Sequence, residues 1–349
     1  VIDRFGRRVG ALIGLAIGDA VGWPAVRHRA QLLPPWTRRL HRELDAFAEV
    51  QQVTTMPVPF ALNQPTAPLR LGPSDDAEWV AWTLTWLRAA DGPIGRDDVH
   101  ARWRSAVADG TLPRGRISVA TAADTLRRDV DPPRTGHDNP HHFDDAAAVR
   151  AVAAGIVAAD PVQAATLAGW DAEVTNAGDG LAAATAMAQT ISRLVAGESV
   201  TTAWATAAVS LPAGGLLAGT VAQALEATRD VPSPAEAVPL LADLVDHVYS
   251  YGVAAAQTMP VAVALAHVTE RGGARPIDAV TAAACLPTLA DSAPALTGAL
   301  VGAGAGITAL PTTWMERCRR LAGCCAPGLA GTDLVDLATG LDERTIRDQ

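Results

Sequence analysis

The chain has 349 residues, 49% of them hydrophobic and 19% charged, with 37 acidic against 28 basic side chains and a formal net charge of −9. This balance excludes a nucleic-acid backbone as the main partner, because that needs a basic face, and the apolar share excludes a disordered chain. Aromatic residues at 4% and abundant alanine favour tightly packed helices over a β-sandwich, so the expected class is all-α. All the basic residues are arginine, which removes any Schiff-base lysine from consideration.

In chain order, the first element is a helix over Arg8–Gly22 in which Gly10, Gly14, Gly18 and Gly22 share one face. A glycine in a helix interior costs roughly 1 kcal/mol against alanine, so four in register imply close approach by a second helix. The partner stands near the other end, where Gly298, Gly302 and Gly306 repeat the spacing. Trp23-Pro24 is expected to stop the first helix. Arg27 to Leu71 reads as an irregular excursion with a polar helical piece, Arg38 to Val50, and a proline-rich run, Met56 to Pro68; it is either a lid over a cleft or a surface insertion. A helix then starts at Ser74-Asp75-Asp76 and presents Trp79, Trp82 and Trp86 on a core face. Further helices are expected over 96–108, 117–127, 146–159, 161–169, 180–195, 199–209, 214–228, 233–249, 255–270 and 276–284, followed by the glycine helix and 311–321. No fixed-period repeat or dividing linker is visible, so residues 1–330 form one domain, with 331–349 as a polar, peripheral tail.

Three polar clusters sit at the ends of apolar helices: Asp19, Ser74-Asp75-Asp76 and Asp291-Ser292. A hydroxyl beside a carboxylate suits a hard cation such as Mg²⁺, which takes oxygen ligands and keeps waters; the alternative for the last two clusters is helix capping. His137, His141 and His142 with neighbouring acids make a rival transition-metal site, against which stands their position in a proline-broken loop. The Gly-Ala-Gly-Ala-Gly306 run lies within a helix and is not a phosphate loop. Cys285, Cys318, Cys324 and Cys325 form neither a CxxC pair nor a disulfide framework, which points to a reducing cytoplasm, with no leader-like start. The uncharged run 293–310 reads as a core helix, and no membrane partner is expected.

With these residues the sequence resembles the ADP-ribosylglycohydrolase family, related to dinitrogenase-reductase-activating glycohydrolase. The resemblance rests on the glycine helix Gly10 to Gly22, on Ser74-Asp75-Asp76, on the mid-chain segment Asp171 to Thr175, and on Asp291-Ser292 leading into Gly298 to Ala303, Pro311 and Trp314. It implies an all-α orthogonal multi-helix bundle with a two-magnesium cleft that hydrolyses the bond between ADP-ribose and a protein side chain or other acceptor. It further implies Asp75 and Asp76 as catalytic residues and Ser74, Asp75, Asp76, Asp291 and Ser292 as metal ligands. Asp19, Gly22, Thr175 and Asn176 fall at its substrate-binding positions. The partner would be an ADP-ribose-like small molecule or an ADP-ribosylated protein.

The chain also departs from that pattern. Val26 and Leu289 stand where the family has acids, Ala77 where it has Thr, Asn176 where it has His, and Asp144-Asp145-Ala146 where a Gly-Asn-Gly segment precedes Arg150. Apolar side chains cannot ligate Mg²⁺, so one ion is the most the motif allows. Two functions remain open: a hydrolase with a reduced, single-ion cleft, and a catalytically degenerate member with a binding, structural or assembly role.

Overall fold

The structure, a computed structural model, describes residues 2–30, 46, 50–51, 72–245, 252–341 and 346–347, without the side chains of 23–30. The proline-rich run 56–68 and most of the 38–50 piece lie outside the described residues. Among the described residues the only β contacts are three isolated bridges, and the architecture is a bundle of helices. No described helix is long and apolar enough to cross a membrane.

The first helix, Arg4–Ala30, and the helix Ala293–Ala305 cross antiparallel with their backbones in contact. A Cβ on Gly10 would lie 2.2 Å from the Gly302 carbonyl oxygen, one on Gly14 2.1 Å from that of Gly298, one on Gly18 2.0 Å from that of Pro294, and one on Gly22 1.9 Å from that of Ala290. The register advances by four residues on one helix as it retreats by four on the other, so each glycine meets one carbonyl. Gly306, with φ +74°, ends the second helix, because the left-handed region admits glycine without penalty.

Around this pair the alanine-rich helices Ala146–Val157, Gly178–Ala196 and Ala255–Gly272 build a core of small side chains. The helix Asp75–Ala89 turns Trp79 and Trp82 inward, and both pack on Trp103 of the helix Arg96–Ala108, with ring centroids 6.0 and 5.4 Å away.

The helix expected over 233–249 ends at Ala242, and three further expectations change. The first helix runs through Pro24 to Ala30: one proline removes one backbone hydrogen bond, and the ladder resumes beyond it. The helix Pro161–Thr175 continues past Gly169, which costs little in a helix whose later residues Trp170, Ala172 and Val174 are buried. The tail is not peripheral throughout, since Leu334, Leu337 and Ala338 are buried and the Arg347 N–H donates to the Ile94 carbonyl at 2.9 Å.

Replacing Gly14 or Gly302 by Leu drives a side chain into the facing backbone, and overpacking costs on the order of 1–3 kcal/mol or more. Circular-dichroism melting should show either variant markedly destabilised or unfolded; a melting temperature equal to that of the parent would mean the two backbones do not touch.

Candidate functional site

Four helix N-termini meet at one place. Asp75 and Asp76 open the helix Asp75–Ala89, Arg116 precedes Ile117–Leu126, Asp145 precedes Ala146–Val157, and Asp291-Ser292 precedes Ala293–Ala305. The positive ends of these helices favour carboxylates here. The glycine crossing sets the geometry: Gly18 against Pro294 and Gly22 against Ala290 bring the start of the last glycine helix beside the turn that holds Asp19.

At the centre lies the Arg116 guanidinium, 5% exposed. Its Nη2 reaches Asp76 Oδ1 and Ser292 Oγ, both at 2.5 Å. Its Nη1 reaches Asp291 Oδ2 at 3.1 Å and Asp145 Oδ1 at 3.4 Å, and its Nε lies 3.5 Å from Asp75 Oδ2. The five donors of a guanidinium thus face five acceptors. Gly115 permits the approach: its φ is +130°, and a Cβ there would sit 3.3 Å from Asp75 Oδ2.

Burial opposes the charge on Arg116, but Asp291, Asp76, Asp145 and Asp75 outweigh it and hold its pKa well above the usual arginine value. Burial raises Asp76 well above an ordinary carboxylate despite Arg116, and raises Asp145 to about 7 against the same opposition, with Asp144 and Asp291 adding to the rise. Asp76 Oδ2 is buried with no hydrogen bond.

This arrangement does not fit the two-magnesium site that the resemblance implies. Mg²⁺ needs oxygens at about 2.1 Å in an octahedron. The expected convergence of Asp75, Asp76 and Asp291 on one ion is instead a convergence on a guanidinium that holds them apart. Among the described residues the only group of three or more potential His, Cys, Asp or Glu ligands within 4.8 Å of one another is Glu78, Cys324 and Cys325. Leu289, at an acid position of the motif, is fully buried and apolar. Val26 has no described side chain.

The residues expected at substrate are occupied elsewhere. Asp19, 1% exposed, accepts the backbone N–H of Ser74 at 2.7 Å and of Ala77 at 3.0 Å, and the Ser74 hydroxyl donates to it. Asp19 thereby caps the acid helix from a distant part of the chain, and Ser74 is turned towards it. Gly22 is buried in the helix crossing. Thr175 Oγ accepts from Arg150 at 2.8 Å and donates to Asn176 at 2.6 Å, and the Asn176 amide donates to Asp144 Oδ1 at 2.8 Å; both residues are buried. Arg150 also donates to Asp171 at 2.7 Å and lies over the Trp103 ring, 5.0 Å from its centroid. As for the histidine run, His137 pairs with Asp138 and His142 Nδ1 lies 2.9 Å from the Asn139 carbonyl, so the imidazoles do not gather. Sequence reasoning did not single out Arg116, the residue at the centre of these contacts; its only local signal is the glycine before it.

Asp145 and Asp19 are both raised to about 7, Asp19 by burial and the charge of Asp75. Folded, they retain protons that ordinary aspartates at 3.8 release. Their stabilising contribution is therefore complete below about 3.8 and is lost as pH rises through about 7. Urea midpoints should fall between about pH 5 and about pH 8, and Asp145→Asn should flatten that fall; a midpoint rising across the window would refute the assignment.

The family model for ADP-ribosylglycohydrolase matches residues 2–348. A solved structure described as an "ADP-ribosylglycohydrolase-related protein complex" is similar in fold, with a TM-score of 0.58 and 16% identity, covering 98% of each chain. None of the curated proteins matches. A family match across nearly the whole chain, on an all-helical bundle of the same type, means that this chain belongs to the ADP-ribosylglycohydrolase family.

Proposed function

We propose that this chain is a catalytically degenerate ADP-ribosylglycohydrolase-family protein, keeping the fold for binding an ADP-ribose-like group, or a protein that carries one, without Mg²⁺-dependent turnover. The observation that carries this reading is Arg116, whose guanidinium occupies the space among Asp75, Asp76, Asp145 and Asp291. A fixed cation there satisfies the acids that would otherwise gather a divalent ion, and it supplies no bound water for attack on a glycosidic bond. Four free cysteines fit work in a reducing compartment such as the cytoplasm.

A second reading has one observation in its favour. Asp75 and Asp291 each keep 23% of their side-chain surface exposed, so a single Mg²⁺ has a solvent-facing edge to approach, with Ser74, Asp76 and Ser292 nearby. Asp75 and Asp76 would then serve as the catalytic carboxylates of a reduced hydrolase.

Calorimetric titration with Mg²⁺ and Mn²⁺ separates the two. We expect no ion bound at the acid cluster of the parent protein, and binding gained there by Arg116→Ala. That variant should lose about 3–5 kcal/mol of stability through its unpaired buried acids, and Mg²⁺ should recover part of it as a rise in melting temperature. Tight binding by the parent that is lost in Asp291→Ala, together with release of ADP-ribose from modified proteins, would establish the hydrolase instead.

A further inference from the structure

Behind the acid cluster lies a second polar group of a different chemical kind. The chain from Arg319 to Leu334 folds back on itself: the Leu321 N–H donates to the Thr332 carbonyl at 3.0 Å, Gly331 to Leu321 at 2.9 Å, and Leu334 to Arg319 at 2.8 Å. The tip of this closed loop is fastened to Glu78, whose carboxylate accepts the backbone N–H groups of Cys324 at 2.7 Å, Cys325 at 2.8 Å and Ala326 at 2.7 Å. Glu78 is fully buried. Closed at its base and tied at its tip, the loop holds two adjacent free thiols, Cys325 buried and Cys324 exposed.

The two sulfurs and a carboxylate oxygen of Glu78 lie within 4.8 Å of one another. We propose that Glu78, Cys324 and Cys325 form a site for one borderline-soft divalent ion of the zinc type, with water completing the coordination on the exposed side of Cys324. Two sulfurs and one oxygen select such an ion over Mg²⁺, which prefers oxygen alone. Metal–sulfur bonds of about 2.3 Å in a tetrahedron place ligands somewhat under 4 Å apart, so closing the shell draws atoms now within 4.8 Å of one another together by about 1 Å at most. Glu78 Oε2 accepts two backbone N–H groups and Oε1 one; the Cys325 thiol also hydrogen-bonds Glu78, and loss of its proton on binding frees that position for the ion. Binding converts two thiols to thiolates and releases two protons to solvent. The carboxylates of Glu78 and Asp75 beside Cys325 supply negative charge that favours a cation. The site also touches the acid cluster: the Arg114 N–H donates to the Cys325 carbonyl at 3.0 Å, two residues before Arg116.

Titration of the reduced protein with Co²⁺ tests the site independently of the Arg116 reading. One ion per chain should bind with a thiolate-to-cobalt charge-transfer band in the near ultraviolet and tetrahedral bands in the visible, all abolished by added Zn²⁺. Cys324→Ser, at an exposed side chain, should lower the charge-transfer band per bound cobalt to about half or less and weaken binding by more than the roughly tenfold that even outer-shell changes cost. Cys325→Ser should do the same, the double variant should lose the band, and Asp291→Asn should retain it. Absence of the band in the parent, or its full intensity in both single serine variants, overturns the proposal; cobalt bound without charge transfer and lost in Asp291→Asn would place the ion in the acid cluster instead.

Discussion

Where Gly14 and Gly298 cross, two helix backbones touch with no side chain between them, and the register set there extends to both ends of the contact. At the end where Gly18 meets Pro294 and Gly22 meets Ala290, it leaves Asp19 placed to reach across to the first turn of the acid helix, where it satisfies the Ser74 and Ala77 N–H groups. The same end brings Asp291 and Ser292 to that region. A Cβ at any of the four crossing glycines would push the helices apart and pull the helix N-termini out of reach of one another. Close backbone packing thus comes first, and the polar geometry follows from it.

Given that convergence, the chain has to neutralise a group of acids at four positive helix ends. A divalent ion does so with two charges, a compact radius and bound water. Arg116 does so with one charge spread over a planar fork, and burial pushes the carboxyls of Asp76 and Asp145 up, which lessens the charge left to neutralise. The two solutions differ in chemistry more than in packing: a guanidinium orients carboxylates and hydroxyls as well as an ion does, yet it lacks the open coordination positions at which a metal activates water.

The glycine crossing was legible in the sequence because a four-residue spacing on one helix face has few other causes. The acids at Asp75, Asp76 and Asp291 were legible as a group because each marks the start of an apolar helix. Arg116 was not, since an arginine in the connection before a helix has the same local appearance whether it points to solvent or inward; only the surplus of interior acids demands it. The partners of Asp19 were not legible for a similar reason. Its position on the glycine helix identifies it as polar, while the N-terminus it caps, on a helix more than fifty residues away, is set by tertiary packing. The first helix runs past the Trp23-Pro24 signal because one proline removes a single backbone hydrogen bond and the ladder resumes beyond it.

The two buried cations described above, Arg116 and Arg150, are both arginines, and Arg150 is enclosed by Asp171, Thr175 and two indole rings. A guanidinium does not give up its proton at any pH a folded chain experiences. The positive charge at these two positions is therefore fixed. Around Arg116, a change of pH acts through Asp76 and Asp145, whose carboxyls burial pushes up, and leaves the arginine as it was.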